Sequence, residues 1–98
     1  MEYNLVLTPF SENDLEAIIE WYGKQNIDLS KEFILILDKT MQAIIENPFL
    51  FQEVYKSYRS ANSGKVPYKI IYRIVENNII VIAITHHKRN PKVWKSRK

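Results

Sequence analysis

Six consecutive apolar residues, at positions 79–84, constrain the fold of this chain more than any other segment. A run of this kind is typical of a buried strand, so we expect residues 79–85 to form the central strand of a sheet. The run leads directly into Thr85-His86-His87-Lys88-Arg89-Asn90-Pro91-Lys92-Val93-Trp94-Lys95-Ser96-Arg97-Lys98. The six cationic side chains of this tail repel one another, and apolar burial does not explain them. The tail therefore predicts an anionic partner, either nucleic acid or an acidic protein surface.

The two halves of the chain carry opposite charge. Residues 1–51 contain three lysines and nine acidic residues, which gives a net charge of −6. Residues 52–98 contain eleven lysines and arginines against two glutamates, which gives +9. This asymmetry favours nucleic-acid binding by the second half. Two alternatives are that a basic sheet docks on acidic helices, and that the lysines only maintain solubility.

Length and composition predict one folded domain over residues 1–98. The chain is 46% hydrophobic, with two glycines and no cysteine, so disulfides and thiolate metal sites are excluded. Neither a signal peptide nor an apolar run long enough to span a membrane is visible, and we expect a cytoplasmic protein that does not enter a membrane. The sequence predicts no cofactor and no metal site.

Residues 11–46 have the period of two amphipathic helices. Ser11 is a candidate N-cap for the first helix, and Asn47-Pro48 is expected to end the second. The apolar stripe of the first helix comprises Leu15, Ile18, Ile19 and Tyr22. The apolar stripe of the second comprises Phe33, Ile34, Leu37, Met41, Ile44 and Ile45. We expect the two helices to form an antiparallel hairpin.

The remaining segments have the period of strands. Residues 3–8 precede the helices, and residues 53–60 and 66–75 follow them. A turn is predicted at residues 61–64 and a tight hairpin at 76–78, and Pro91 is expected to begin a short C-terminal helix. The order β-α-α-β-β-β predicts an α+β domain, with a helical hairpin packed on a mostly antiparallel four-stranded sheet.

Several short motifs occur in an order and spacing typical of one family. They are Glu46-Asn47-Pro48, Tyr58-Arg59, Pro67-Tyr68-Lys69-Ile70-Ile71-Tyr72-Arg73 and His86-His87-Lys88-Arg89-Asn90-Pro91-Lys92-Val93-Trp94. With them the chain resembles the RelE/ParE superfamily of bacterial type II toxins over nearly its whole length. The resemblance implies a cognate antitoxin that wraps the toxin, and hence a toxin–antitoxin hetero-oligomer.

The resemblance leaves the target of the toxin open. RelE-like members cut messenger RNA on the ribosome without a metal, whereas ParE-like members poison DNA gyrase. A third interpretation is an inactive member that acts only as a binding module for nucleic acid or antitoxin.

Four residues are catalytic candidates if the chain is a ribonuclease. Cleavage by a 2′-hydroxyl requires a base, an acid and cations beside the phosphate. Arg89 lies where the ribonuclease branch keeps a phosphate-stabilising arginine, and Arg59 lies where its basic residues cluster. His86 and His87 are acid–base candidates, although adjacent strand residues point to opposite faces, so at most one is expected to reach a shared cleft. The alternative for each is a structural or solvated side chain.

Two departures from the ribonuclease pattern favour a ParE-like protein target. Lys69 replaces an arginine that follows the tyrosine of the third strand, and lysine lacks the bidentate fork suited to phosphate. Trp94 replaces a catalytic tyrosine, and an indole has no hydroxyl for proton transfer. Trp94 could stack on a base or, alternatively, close the sheet as a packing residue.

A basic sheet and tail surface is predicted to bind the target or nucleic acid. Its candidate residues are Lys56, Lys69, Arg73, Lys88, Lys92, Trp94, Lys95 and Arg97. Leu35 and Ile36 lie off the main stripe of the second helix and are candidates for binding the antitoxin. Burial under the first helix or a loop is the alternative for these two residues.

Overall fold

A five-stranded sheet forms the centre of the structure, a computed structural model that describes residues 2–97. The elements follow in the order β1 (Asn4–Leu7), α1 (Pro9–Gln25), α2 (Ile27–Glu46), β2 (Gln52–Tyr55), β3 (Tyr58–Asn62), β4 (Tyr68–Val75), β5 (Asn78–His86) and α3 (Lys92–Lys95). The strands lie in the order β1-β5-β4-β3-β2, and β1 runs parallel to β5 while the other pairs are antiparallel. The predicted α+β class, with the helical hairpin and the short C-terminal helix, is confirmed.

The sheet contains five strands rather than the predicted four, because residues 53–60 do not form one continuous strand. They form β2 and the start of β3, which are joined at Lys56 and Ser57 in a two-residue hairpin that pairs Tyr55 with Tyr58. Lys56 has a φ of 50°, the left-handed backbone that such a tight hairpin requires. Lysine is not a typical turn residue, so the alternating pattern concealed the turn.

Both long helices begin earlier than their start signals in the sequence, Ser11 for the first helix and Leu29-Ser30 for the second. Thr8, not Ser11, caps α1: its hydroxyl oxygen accepts a hydrogen bond from the Ser11 amide at 3.2 Å, and Pro9 takes the first helical position. Ser11 is buried inside the first turn. The α2 helix begins at Ile27, where the side chain of Asn26 accepts a hydrogen bond from the amide of Asp28 at 2.8 Å.

The main hydrophobic core lies between the helical hairpin and one face of the sheet. The α2 helix contributes Phe33, Leu37 and Ile44, as its stripe predicted, and they pack against residues such as Ile70 and Val81 on β4 and β5.

A smaller core lies on the opposite face, which we call the α3 face. It contains Ile71, Ile82, Ala83 and Trp94. The register of β4 and β5 shifts between Ile71 and Tyr72. This bulge explains why the consecutive residues Ile82 and Ala83 both belong to the smaller core. The apolar run of β5 is therefore buried from both sides.

No helix within residues 2–97 is long and apolar enough to cross a membrane.

Candidate functional site

The C-terminal segment is fixed to the rest of the domain through Arg97. Its Nη1 donates to Asp14 Oδ2 at 2.7 Å and to the carbonyl oxygen of Ile82 at 3.2 Å. Asp14 Oδ2 also accepts from the amide of Ile84 at 3.1 Å. The Tyr58 hydroxyl donates to the carbonyl oxygen of Arg97 at 2.5 Å. The Arg97 and Asp14 side chains are only 11% and 8% exposed, so the guanidinium is occupied inside the protein and is not presented to a target.

Trp94 is buried in the smaller core, with only 2% of its surface exposed. Its ring lies 6.3 Å from the Tyr55 ring and 6.1 Å from the Tyr58 ring, between centroids. The indole N–H has no hydrogen-bond partner among the residues that the structure describes. Stacking on a base requires an open ring face. Of the two interpretations of Trp94, the structure therefore shows packing, and its assignment to the target-binding surface is corrected.

Arg59 holds the loop between α2 and β2. Its Nη1 donates to the carbonyl oxygens of Phe49 at 3.2 Å and Phe51 at 2.6 Å, and its Nη2 donates to Glu53 Oε1 at 3.1 Å. The guanidinium also lies 5.3 Å from the centre of the Phe49 ring. These contacts give Arg59 a structural task, and a catalytic role for it remains a prediction that they do not favour.

Tyr72, on the neighbouring strand β4, is another anchor of the same loop. Its buried hydroxyl donates to the carbonyl oxygen of Pro48 at 2.6 Å. Burial raises the pKa of Tyr72 to about 12, although the positive charge of Arg59 acts in the opposite direction. The loop between α2 and β2 is therefore fixed to the sheet by two side chains, one cationic and one neutral.

The α3 face carries a cluster of cations. Lys69 and Arg73 alternate with Ile71 along β4 and so point to this face. Lys56 Nζ and Lys95 Nζ lie 5.4 Å and 4.7 Å from the centre of the Tyr55 ring. The Nε of Arg73 is buried, without a hydrogen-bond partner within residues 2–97. Lys88 and Lys92 are exposed in the tail. We use the name basic face for Lys56, Lys69, Arg73 and Lys95.

His86 and His87 differ in their surroundings. His86 lies beside Tyr68, at a ring separation of 5.4 Å, and its Nδ1 accepts a hydrogen bond from the amide of Lys88 at 3.1 Å. The His87 side chain is exposed, and its amide donates to the carbonyl oxygen of Pro67 at 3.0 Å. Of the two, His86 lines a cavity of about 360 Å³ that Arg89 also lines.

Arg59 lies far from the pair formed by His86 and Arg89. Arg59 pairs across the sheet with Tyr72, whereas His86 pairs with Tyr68, four residues away along β4. Four residues of strand separate them by about 13 Å, and two strand spacings add about 10 Å in the perpendicular direction. The catalytic candidates are therefore not gathered into one cleft.

Leu35 and Ile36 have different exposure on α2. Leu35 is 63% exposed and points away from the core. Ile36 is half-buried and lines a cavity of about 380 Å³ between α2 and the turn that joins β3 to β4. Both side chains lie outside the main core, as their position off the apolar stripe predicted.

Asp14 is the site residue that sequence reasoning missed. It stands in the first part of α1, where a carboxylate is ordinarily explained by the helix dipole. Its partner Arg97 lies 83 residues further along the chain, so no local pattern connects them. Among the described residues, no group of three or more histidine, aspartate and glutamate side chains could hold a metal ion.

Comparison with known proteins identifies the class and then the family. The fold is similar to that of a solved structure described as the chromosomal ParDE TA system from P. aeruginosa, with a TM-score of 0.76 and 13% sequence identity, over 87% of this chain and 96% of that chain. This similarity concerns the fold alone, an α+β fold like that of the solved protein. The family model described as the ParE toxin of the type II toxin-antitoxin system parDE matches residues 5–91, and the chain belongs to this family. No curated protein matches the chain. The resemblance to the RelE/ParE superfamily is thereby confirmed.

Proposed function

We propose that this chain, a ParE-like toxin of a type II toxin–antitoxin system, inhibits bacterial growth by acting on DNA gyrase in the cytoplasm. The observation that carries the choice of target is the dispersal of the ribonuclease candidates. Arg59 is bound to backbone carbonyls and to Glu53, and it lies far from His86 and Arg89. In-line attack by a 2′-hydroxyl needs its base, acid and cations around one phosphate.

The basic face is the surface that we assign to target contact, supplemented by Lys88 and Lys92. Lys56 and Lys95 converge on the Tyr55 ring from the β2–β3 hairpin and from α3. Two cations beside one aromatic ring give a patch with both charge and apolar area, which suits an acidic protein surface. The acidic half of the chain lies on the helices, so like-charge repulsion directs an acidic target toward the sheet.

A cognate antitoxin is the partner that membership of the family implies. We assign Leu35 and Ile36 to its contact surface, because Leu35 is a large exposed apolar side chain and Ile36 lines the adjacent cavity. The resulting complex is a toxin–antitoxin hetero-oligomer. In this complex the antitoxin contacts α2, on the helix side of the sheet, and the basic face lies on the opposite side.

A supercoiling assay with antitoxin-free protein tests the proposed target. We expect the toxin to inhibit gyrase, and the double variant Lys56→Gln/Lys95→Gln to need about tenfold more protein for the same inhibition. The matched control is Lys24→Gln/Lys39→Gln, which removes the same charge from the helical hairpin and should behave as wild type. Unchanged supercoiling at saturating toxin would exclude gyrase as the target.

A RelE-like ribonuclease is the second candidate, because His86 and Arg89 do line one cavity. Primer extension on a reporter message in a bacterial translation extract tests it. Cuts confined to translated message, lost in both Arg89→Ala and His86→Ala, would establish the ribonuclease and refute gyrase as the primary target. A protein that is not toxic when it is expressed alone would instead be a binding module.

A further inference from the structure

A groove with two adjoining cavities lies between α1 and the C-terminal end of β5, on the helix side of the sheet. One cavity, of about 390 Å³, is lined by Trp21, Tyr22, Pro67, Tyr68 and His86. The other, of about 360 Å³, shares Tyr68 and His86 and reaches Asp14 and Arg89. Each volume lies within the range of small-molecule sites, which begins at about 300 Å³. We call the two cavities together the α1 groove, and the basic face lies on the opposite side of the sheet.

One end of the α1 groove offers an aromatic platform. Trp21 is 57% exposed, although indole is among the costliest side chains to leave in water. The Trp21 ring is held in position by its neighbours. It packs edge-on against the Tyr22 ring, with 5.2 Å between centroids, and Tyr22 stacks on the buried Phe33 ring, with 5.3 Å between centroids. An exposed ring that is held in place by the core loses little entropy when a planar ligand stacks on it.

The other end of the α1 groove offers hydrogen-bond donors for an anion. Nδ1 of His86 accepts from the Lys88 amide, so the neutral imidazole carries its proton on Nε2 and can donate it. Arg89 lies 3.8 Å from Asp14 and is 45% exposed. Asp14 is already bound at 2.7 Å by Arg97, so it does not depend on Arg89, and the guanidinium of Arg89 keeps donors for a ligand.

We propose that the α1 groove binds a nucleoside phosphate, with the base stacked on Trp21 and the phosphate bound by His86 and Arg89. A planar π-system and an anion joined by a sugar match the two ends of the groove, whereas an inorganic anion would leave the aromatic end empty. The buried Asp14 carboxylate adds little repulsion, since Arg97 neutralises it. The ligand is either a free nucleotide or one nucleotide unit of a single strand.

Tryptophan fluorescence provides a direct test with purified full-length protein. AMP and ATP are titrated against the toxin, and we expect quenching of the exposed Trp21, while the buried Trp94 supplies a constant background. Trp21→Phe should abolish the quenching. Arg89→Gln should weaken AMP binding about tenfold, because it removes a charge-assisted hydrogen bond to phosphate. Lys39→Gln, which removes one charge from an exposed position on α2 outside the groove, is the matched control and should bind AMP as wild type does.

Amide chemical shifts measured during the same titration locate the ligand without any substitution. Shifts concentrated at Trp21, Tyr68, His86 and Arg89 would support the groove, and shifts confined to the basic face would overturn it. Equal affinity for adenosine and AMP would also overturn it, since the phosphate would then contribute nothing. An oligonucleotide that binds at least tenfold more tightly than AMP in the same groove would identify a strand as the ligand. Binding is the only readout, so the result does not depend on whether gyrase is the target.

Discussion

Replacing Arg97 by glutamine should destabilise the whole domain, although the residue lies one position from the end of the chain. The substitution removes the cation that binds the buried Asp14 carboxylate most closely, and leaves it the amide of Ile84 at 3.1 Å and the Arg89 guanidinium at 3.8 Å. Removing one partner of a buried ion pair costs about 3–5 kcal/mol. Because Arg89 lies 3.8 Å from Asp14 and compensates part of the lost positive charge, we expect the lower end, about 3 kcal/mol.

Urea unfolding followed by circular dichroism measures this loss of free energy. A domain of this size is stable by about 5–15 kcal/mol, so the variant should remain folded at room temperature. In thermal unfolding, the Tm of Arg97→Gln should fall by about 12–24 °C, since a loss of 1 kcal/mol corresponds to about 4–8 °C in a small domain. Lys24→Gln is the control, because it breaks an exposed ion pair with Glu20, which should contribute less than about 0.5 kcal/mol.

A double-mutant cycle with Asp14→Asn isolates the interaction between the two side chains. In the Arg97→Gln background, Asp14→Asn should lower the free energy of unfolding by less than it does in the wild type. We expect a coupling free energy of about 1–3 kcal/mol. If Arg97→Gln unfolds within about 0.5 kcal/mol of wild type, or if the two substitutions are additive, the C-terminal segment is not fixed by this pair. Arg97 would then return to the candidates for target binding.

Three further predictions test other parts of the structure. Between pH 10 and pH 12, Tyr72 ionises in the unfolded chain but stays neutral in the folded protein. The free energy of unfolding that Tyr72 contributes is therefore fully present below pH 10 and decreases as the pH rises to 12. In Tyr72→Phe, urea unfolding should show a pH-dependent decrease that is smaller by about 2–3 kcal/mol. Trp94→Ala should cost about 3–5 kcal/mol in the same assay, because it leaves a cavity between α3 and the sheet, and a smaller loss would contradict the packing role. Leu35→Glu should leave the Tm unchanged and weaken antitoxin binding in calorimetry, whereas the buried Leu37→Glu should prevent folding; unchanged antitoxin affinity in Leu35→Glu would exclude this part of α2 from the interface.

Sequence alone determined the class of the fold, because its elements are encoded by local periodicity. The apolar stripe of α2 includes its buried side chains Phe33, Leu37 and Ile44, although Ile34 of the same stripe is exposed. The run at residues 79–84 predicted the buried strand β5, but the middle strand of the sheet is β4. Prediction was less successful where the signal was a single residue. Lys56 adopts a left-handed backbone that its residue type does not suggest, so one predicted strand became a hairpin.

Only the tertiary structure decided what the charged and aromatic candidates do. From the sequence, Arg59 was a catalytic candidate, and Arg97 and Trp94 were candidates for target binding. In the structure Arg59 binds a loop, Arg97 binds Asp14 and Trp94 packs in a core. The α1 groove brings Trp21 of the first helix beside His86 at the end of the last strand. Periodicity specifies which face of its own element a side chain occupies. Its partner on another element is set by how the elements pack, and no local pattern records that contact.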